Sequence, residues 1–421
     1  MNSIREELLD YLSRLDIVDA HEHLVPERMR IEADVDVLTL VGVYSFVDML
    51  SAGFPTEGRR SEITNHHAMD TSISLEQRWK DIAPYLERIQ YGTYFRPTRI
   101  ALRDLYGIDH LDESTIFTAT ERIRAENRKG LYYRILREKC RIRTCLVQNG
   151  YVEDQDPMYL LTPVYFNTPC FELNHPDFFR YLEGAYGQSL DDLPTYLDAL
   201  RKELARVRQL GAVGFKIGAY AYPPPDREQA AKDYRAFLEG QAPTRLLVST
   251  VLDAILEKAR EWDWPVAVHS GVWEDFRDRD PKNMIDLARR YPDVRFDLYH
   301  LGMPFVRDCL FVAKNFRNVH LNLCWTYVVS QEMTRRTIPE IVDLVPVNKV
   351  HGFGADYNYD VENVYGHLVM ARESLVDAFG EMVEKGRLDM QEAKRILSAW
   401  MMENPWTFYR LEEREHGFVE A

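Results

Sequence analysis

A chain of 421 residues, 46% of them hydrophobic, can bury either one large core with an insertion or two cores. Its 67 acidic residues against 52 basic give a net charge of −15, which repels a phosphate backbone, and no lysine/arginine stripe reverses that locally, so nucleic acid is not an expected partner. No apolar run approaches the ~20 residues of a membrane span, and the opening MNSIREELLDYLSRLD is a charged amphipathic stretch rather than a signal peptide; the cytoplasm is the expected compartment.

The first β-rich run is IVDAHEHL at 17–24, carrying two histidines one residue apart. Residues 25–142 then hold amphipathic stretches such as LEQRWKDIAPYLERIQ, PTRIALRDLYG and ESTIFTATERIRAENRKG, which read as a helical insertion. Pro97 fits a helix start there, and Gly130 a helix stop. Seven more β-rich runs follow, at 143–149, 158–166, 212–220, 265–271, 294–302, 319–325 and 350–358. Helical periodicity fills most of the intervals, as in LDDLPTYLDALRKELARVRQLG and TRLLVSTVLDAILEKAREWDW. Strand then helix, eight times over, predicts an α/β fold, a (β/α)8 TIM barrel with a helical insertion after strand 1. The barrel is expected to comprise 1–24 and 143–421, including C-terminal closing helices, and the insertion 25–142.

Strand side chains alternate faces, so His21 and His23 point the same way, with Asp19 two residues before them. The later strands put Lys216 on the fourth, His269 at the end of the fifth, His300 at the end of the sixth and Asp356 on the eighth, after Gly352 and Gly354. Ionisable groups are costly in a packed barrel unless paired or coordinated, and the C-terminal mouth is where barrel enzymes keep their chemistry. Convergence of these groups on one mouth predicts a metal site. The five cysteines (Cys140, Cys145, Cys170, Cys309, Cys324) are scattered without a C-x-x-C pair, so nitrogen and oxygen must supply the ligands. Such donors suit zinc and similar divalent ions, which lower the pKa of a bound water to about 7. Asp356 is the candidate to take up that water's proton.

His21-x-His23, Lys216, His269, His300 and Asp356, in that order on five strands, resemble the ligand set of the amidohydrolase superfamily. YPDVRFDLYHLGMPF, NFRNVHLNLCW, HGFGADYN and ILSAWMMENPWTFYRL are similar to its amidohydrolase-related branch. ALRDLYGID and EMVEKGRLD resemble uronate isomerases in part, although the loop HSGVWEDFRDRD is not matched to that family's arginine and asparagine pattern. The resemblance implies one or two divalent ions, zinc first, held by His21, His23, His269 and Asp356, with His300 near the bound water or substrate. Two-metal members carry a carbamylated lysine on strand four, the place of Lys216. A free ammonium there has two other roles open to it: holding a substrate carboxylate, or pairing with an inward acid.

Tyr220, Tyr222, Trp273, Arg277, Trp325 and Tyr357 follow strand ends; Tyr220, Trp273 and Arg277, with Lys216, are the candidate substrate contacts. His320 and His351 open strands at the opposite end, and His367 lies on a closing segment; none is assigned to the site. The expected function is metal-dependent hydrolysis of a C–N or C–O bond in a small, carboxylate-bearing molecule by a homo-oligomer, with non-hydrolytic decarboxylation or uronate isomerisation as the alternative.

Overall fold

A computed structural model describes residues 2–55, 70–148, 161–166, 176–272 and 275–412. Its strands are β1 (Ile17–Glu22), β2 (Ile142–Val147), β3 (Leu161–Pro163 continued by Tyr165–Phe166), β4 (Phe215–Gly218), β5 (Val266–His269), β6 (Phe296–Leu298), β7 (Val319–Asn322) and β8 (Val350–His351). All neighbours pair in parallel, in chain order. Val164 joins the halves of β3, its N–H donating to Val147 while Tyr165 N donates to Gly214. Across the remaining seam, Ala20 N donates to Phe353 O, Asp356 N to His21 O and His23 N to Tyr357 O. The eight β-rich runs thus become the strands of a (β/α)8 barrel, each shorter than its run because the strand ends bend outward into the loops.

Helices cover the outside because their apolar faces match the outward residues of the strands. Leu193–Gln209 and Arg245–Trp262 place Leu200, Leu204, Val251 and Ile255 in one core with Phe215, Ile217, Val266 and Val268. Asp192 and Thr244 cap those helices through their side chains. Inside the barrel, Val18, Ala20, Leu146, Val164, Ala267, Tyr299 and Cys324 form a second cluster, plugged by Phe408, Tyr409 and Leu411 of the C-terminal segment.

The insertion has its own core, in which Leu38, Val41, Trp79, Ile82, Leu102 and Ile123 meet. Leu131, Tyr132, Ile135 and Leu136 pack instead with the barrel core. The segment Tyr133–Lys139 leads from there into β2. Arg30, fully buried, binds the insertion to the barrel by donating to Glu362, Tyr359 O and Asn127. Helix Arg96–Tyr106 lies so close on Val361–Glu384 that a Cβ at Gly366 falls 2.1 Å from the Pro97 carbonyl oxygen.

Candidate metal centre

The residues predicted for the mouth meet there. His21 Nε2 lies 3.2 Å and His23 Nε2 3.5 Å from the same oxygen, Asp356 Oδ1. One ligand atom each from His21, His300 and Asp356 fall within 4.8 Å of one another. His300 Nε2 is 3.2 Å from His269 Nδ1. His21 is 1% exposed and His300 not at all, whereas the His23 side chain is 33% exposed, so the cluster opens to solvent on the His23 side.

Three strand ends achieve this by leaving regular geometry. His300, Trp325 and Asp356 all have φ between 61° and 67°, a left-handed conformation costly for residues with a Cβ. Gly354 is needed beside them: a Cβ there falls 2.6 Å from Cys324 Cβ and 2.9 Å from His21 N.

Burial keeps the imidazoles neutral. It holds the pKa of His23 below, and of His21 and His269 well below, the usual histidine value, and that of His300 at about 3. Neutral rings offer lone pairs. His300 Nδ1 sits 3.1 Å from the Cys324 carbonyl oxygen, which fixes the proton on Nδ1 and turns the Nε2 lone pair toward His269 and His21. His21 Nδ1 is buried with no hydrogen-bond partner among the described residues. Nitrogen lone pairs and one carboxylate oxygen, crowded together in a largely buried group, fit a divalent cation.

Lys216 is buried beside this group, its Nζ 4.0 Å above the Tyr299 ring and without a hydrogen-bond partner among the described residues. Desolvation lowers its pKa to about 8. Tyr299 in turn packs on His21 at 4.5 Å, and its hydroxyl accepts from Gln148 and donates to Ala20 O.

Two sequence expectations are corrected. Asp19 does not join the cluster: its Oδ1 accepts instead from His21 N and Ala355 N, next to a register shift between Asp19 and Glu22 in the β1–β2 pairing. Arg277 does not reach the mouth either. It is 81% exposed and forked onto Asp275, as the acidic loop around it allows. Arg279, two residues on, folds inward: its Nη1 lies 3.5 Å from the Val272 carbonyl that His269 Nε2 also approaches, and its Nε donates to the Tyr220 hydroxyl at 3.3 Å. Tyr220 thus lies near the mouth; Trp273 falls outside the described residues.

Sequence reasoning missed Tyr44 and Tyr94 of the insertion. Their rings pack on Trp325 at 4.7 and 5.4 Å, forming an aromatic wall over the mouth, and the Tyr44 hydroxyl donates to Asp356 O. The available signal was Gly42, which breaks helix Val37–Ser51 with non-helical geometry two residues before Tyr44. His367, set aside as structural, places Nδ1 3.2 Å from Ala355 O, next to Asp356.

Fold and cluster together define a (β/α)8 barrel with a His/Asp group able to hold a metal. Residues 192–368 match the family model described as Amidohydrolase, a stretch that holds Lys216, His269, His300 and Asp356 but not His21 and His23. The fold is that of uronate isomerase from Thermotoga maritima (16% identity, 96% of this chain and 97% of that one, TM-score 0.78) and of glucuronate isomerase from Caulobacter crescentus (16%, 97% and 94%, 0.77). A proposed metal-dependent hydrolase from Lactobacillus casei shares it as well (16%, 96% and 98%, 0.70). Protein fluG of Emericella nidulans is 23% identical over 154 residues, 36% of this chain and 18% of that protein. No helix of the described residues is long and apolar enough to cross a membrane.

Proposed function

We propose that the protein is a metal-dependent hydrolase that cleaves a C–N or C–O bond of a small, carboxylate-bearing substrate. One observation carries this reading: Asp356 Oδ1 lies within 3.5 Å of Nε2 of both His21 and His23, which gives a single carboxylate access to a cation and to the proton of an attacking water. When bound by His21, His23, His269 and Asp356, with His300 beside them, a divalent cation, zinc first, supplies Lewis acidity and lowers the pKa of water to about 7.

The chain's own groups do the rest. Asp356 accepts the proton as water adds to the substrate carbon and returns it to the leaving nitrogen or oxygen. His300, held by the Cys324 carbonyl, keeps its Nε2 lone pair on the reacting side. The Lys216 ammonium and the Arg279 guanidinium hold the substrate carboxylate, since Lys216 is buried against Tyr299 beside His21 and Arg279 donates to the Val272 carbonyl that His269 also approaches. Tyr220 and the Tyr44/Tyr94/Trp325 wall shape its sides.

Assay of metal-loaded protein on a broad panel of amides, lactones and esters tests this. Turnover that Asp356→Asn abolishes supports it; no turnover anywhere sinks it. A second reading, isomerisation of a sugar acid, draws support from the likeness to uronate isomerases, which extends over 96–97% of the chain and so takes in the insertion. Uronate interconversion and carbon dioxide release separate the two, because a hydrolase gives neither.

A further inference from the structure

The segment Ala355–Asp356–Tyr357 leaves β8 where no regular ladder can satisfy it, because φ of 67° at Asp356 flips the peptides on either side. Buried backbone polar groups must nevertheless be paired. All six are. Ala355 N donates to Asp19 Oδ1 at 3.2 Å and Tyr357 N to Glu22 Oε2 at 2.7 Å. Asp356 N donates to His21 O at 3.0 Å, and Tyr357 O accepts from His23 N at 3.1 Å. Ala355 O faces His367 Nδ1, and Asp356 O accepts from Tyr44.

We infer that Asp19 and Glu22 are positioning residues that lock Asp356 in its left-handed conformation and so aim its carboxylate at His21 and His23. The inference rests on the reading of Asp356 as the carboxylate ligand. Asp19 and Glu22 are fully buried and stand 335 or more residues from their partners, so ordinary turn chemistry does not explain them. Each spends a carboxylate oxygen on the backbone flanking Asp356, beside a register shift in β1, instead of competing with it for the cluster. Asp19 Oδ1 also accepts from His21 N at 3.2 Å, so one oxygen ties the backbones of both sides of the site. Neither touches the reacting atoms.

The test compares Asp19→Ala and Glu22→Ala with the isosteres Asp19→Asn and Glu22→Gln in the full chain, reading zinc affinity by competition with a chelating dye, thermal stability of the metal-free protein, and crystal structures. Loss of an outer hydrogen-bond partner weakens metal binding by about 10–100-fold in comparable sites, and that loss is expected for the alanine variants, with near-complete rescue by the isosteres. Asp356 should leave the left-handed region in the alanine crystals. Alanine variants that lose stability yet keep wild-type zinc affinity, with Asp356 unmoved, overturn the inference. If they fail to fold, Asp19→Leu, which fills the space without an acceptor, is read against the same outcomes. A wild-type chain that binds no zinc sinks the metal reading alone, and the position of Asp356 in the variant crystals still decides this one.

Discussion

The hydroxyl of Tyr44, on a helix of the insertion, donates to the backbone carbonyl of Asp356, 312 residues further along. The insertion therefore contributes to the geometry of the barrel's central carboxylate as well as to the wall above it. Tyr44→Phe removes the donor and leaves a buried carbonyl short of a partner, a loss of about 1–3 kcal/mol. Urea unfolding is expected to show a lower midpoint with an unchanged slope, and zinc affinity is expected to fall. A variant that matches wild type in both properties separates the insertion from the site.

Metal removal acts on the same cluster. Neutral imidazoles and Asp356 are crowded into one group that could hold a cation, so on the proposed reading the native state binds zinc and the unfolded chain does so weakly. At zinc 100 times above Kd the stabilisation is about 2.7 kcal/mol. Chelation should lower the melting temperature, and zinc in excess should restore it. A melting temperature indifferent to chelator and zinc removes the cation from the site.

The barrel was legible because every strand is a short β-rich run between helical intervals, and the mouth was legible because His21, His23, His269, His300 and Asp356 interrupt apolar runs at their C-terminal ends. What escaped depends on geometry that pattern does not encode. Alternation puts Asp19 on the face of His21, but its Oδ1 is taken up by the backbone N–H groups of His21 and Ala355. Arg277 and Arg279 differ by two positions on a tight turn, and composition does not say which one folds inward. Tyr44 and Tyr94 reach the mouth only through the fold of an insertion whose helices look ordinary in sequence. Asp19 and Glu22 act on a segment more than 330 residues away, which no local signal marks.

Acid should destabilise the protein through histidines outside the site as well. His320, on β7, packs against Phe408 at 4.4 Å and His351 at 5.7 Å, and burial, then the nearby His351, Lys349 and Arg295, push its pKa down to about 2. The folded value lies below the unfolded one, so this contribution is whole above about pH 6.5 and is lost as pH falls toward the folded pKa. In that window the unfolded chain binds one more proton, a slope of about 1.4 kcal/mol per pH unit. Unfolding free energies measured from pH 7 to 5 should decline less steeply in His320→Gln than in wild type. Parallel declines exclude His320 as the source.

Gly366→Ala tests how the insertion is seated. Its added Cβ meets the Pro97 carbonyl oxygen at 2.1 Å and Pro97 C and Cα at 2.7 Å. Those are backbone atoms, which cannot swing aside as a flexible side chain does. Overpacking of this kind costs about 1–3 kcal/mol. A lowered urea midpoint is expected although alanine favours a helix, and a raised midpoint means the two helices are not in such close contact.

The role proposed for Lys216 sets stability against function. The residue is 2% exposed and its ammonium meets the Tyr299 face, a contact worth about 2 kcal/mol when desolvated. A buried charged group without a hydrogen bond costs more than the 1–3 kcal/mol of a neutral one, so desolvation outweighs the ring. Lys216→Met fills similar volume without the charge, and is expected to raise the stability of the metal-free protein by about 1–2 kcal/mol, the usual gain when a functional group is traded for packing. Turnover of a carboxylate-bearing substrate should fall with a raised KM, while an uncharged analogue is processed as by wild type. Bound zinc per chain should stay constant, since a free ammonium holds no metal. If the methionine variant instead loses one zinc of two, Lys216 serves as a ligand through a carbamate and the substrate carboxylate is left to Arg279.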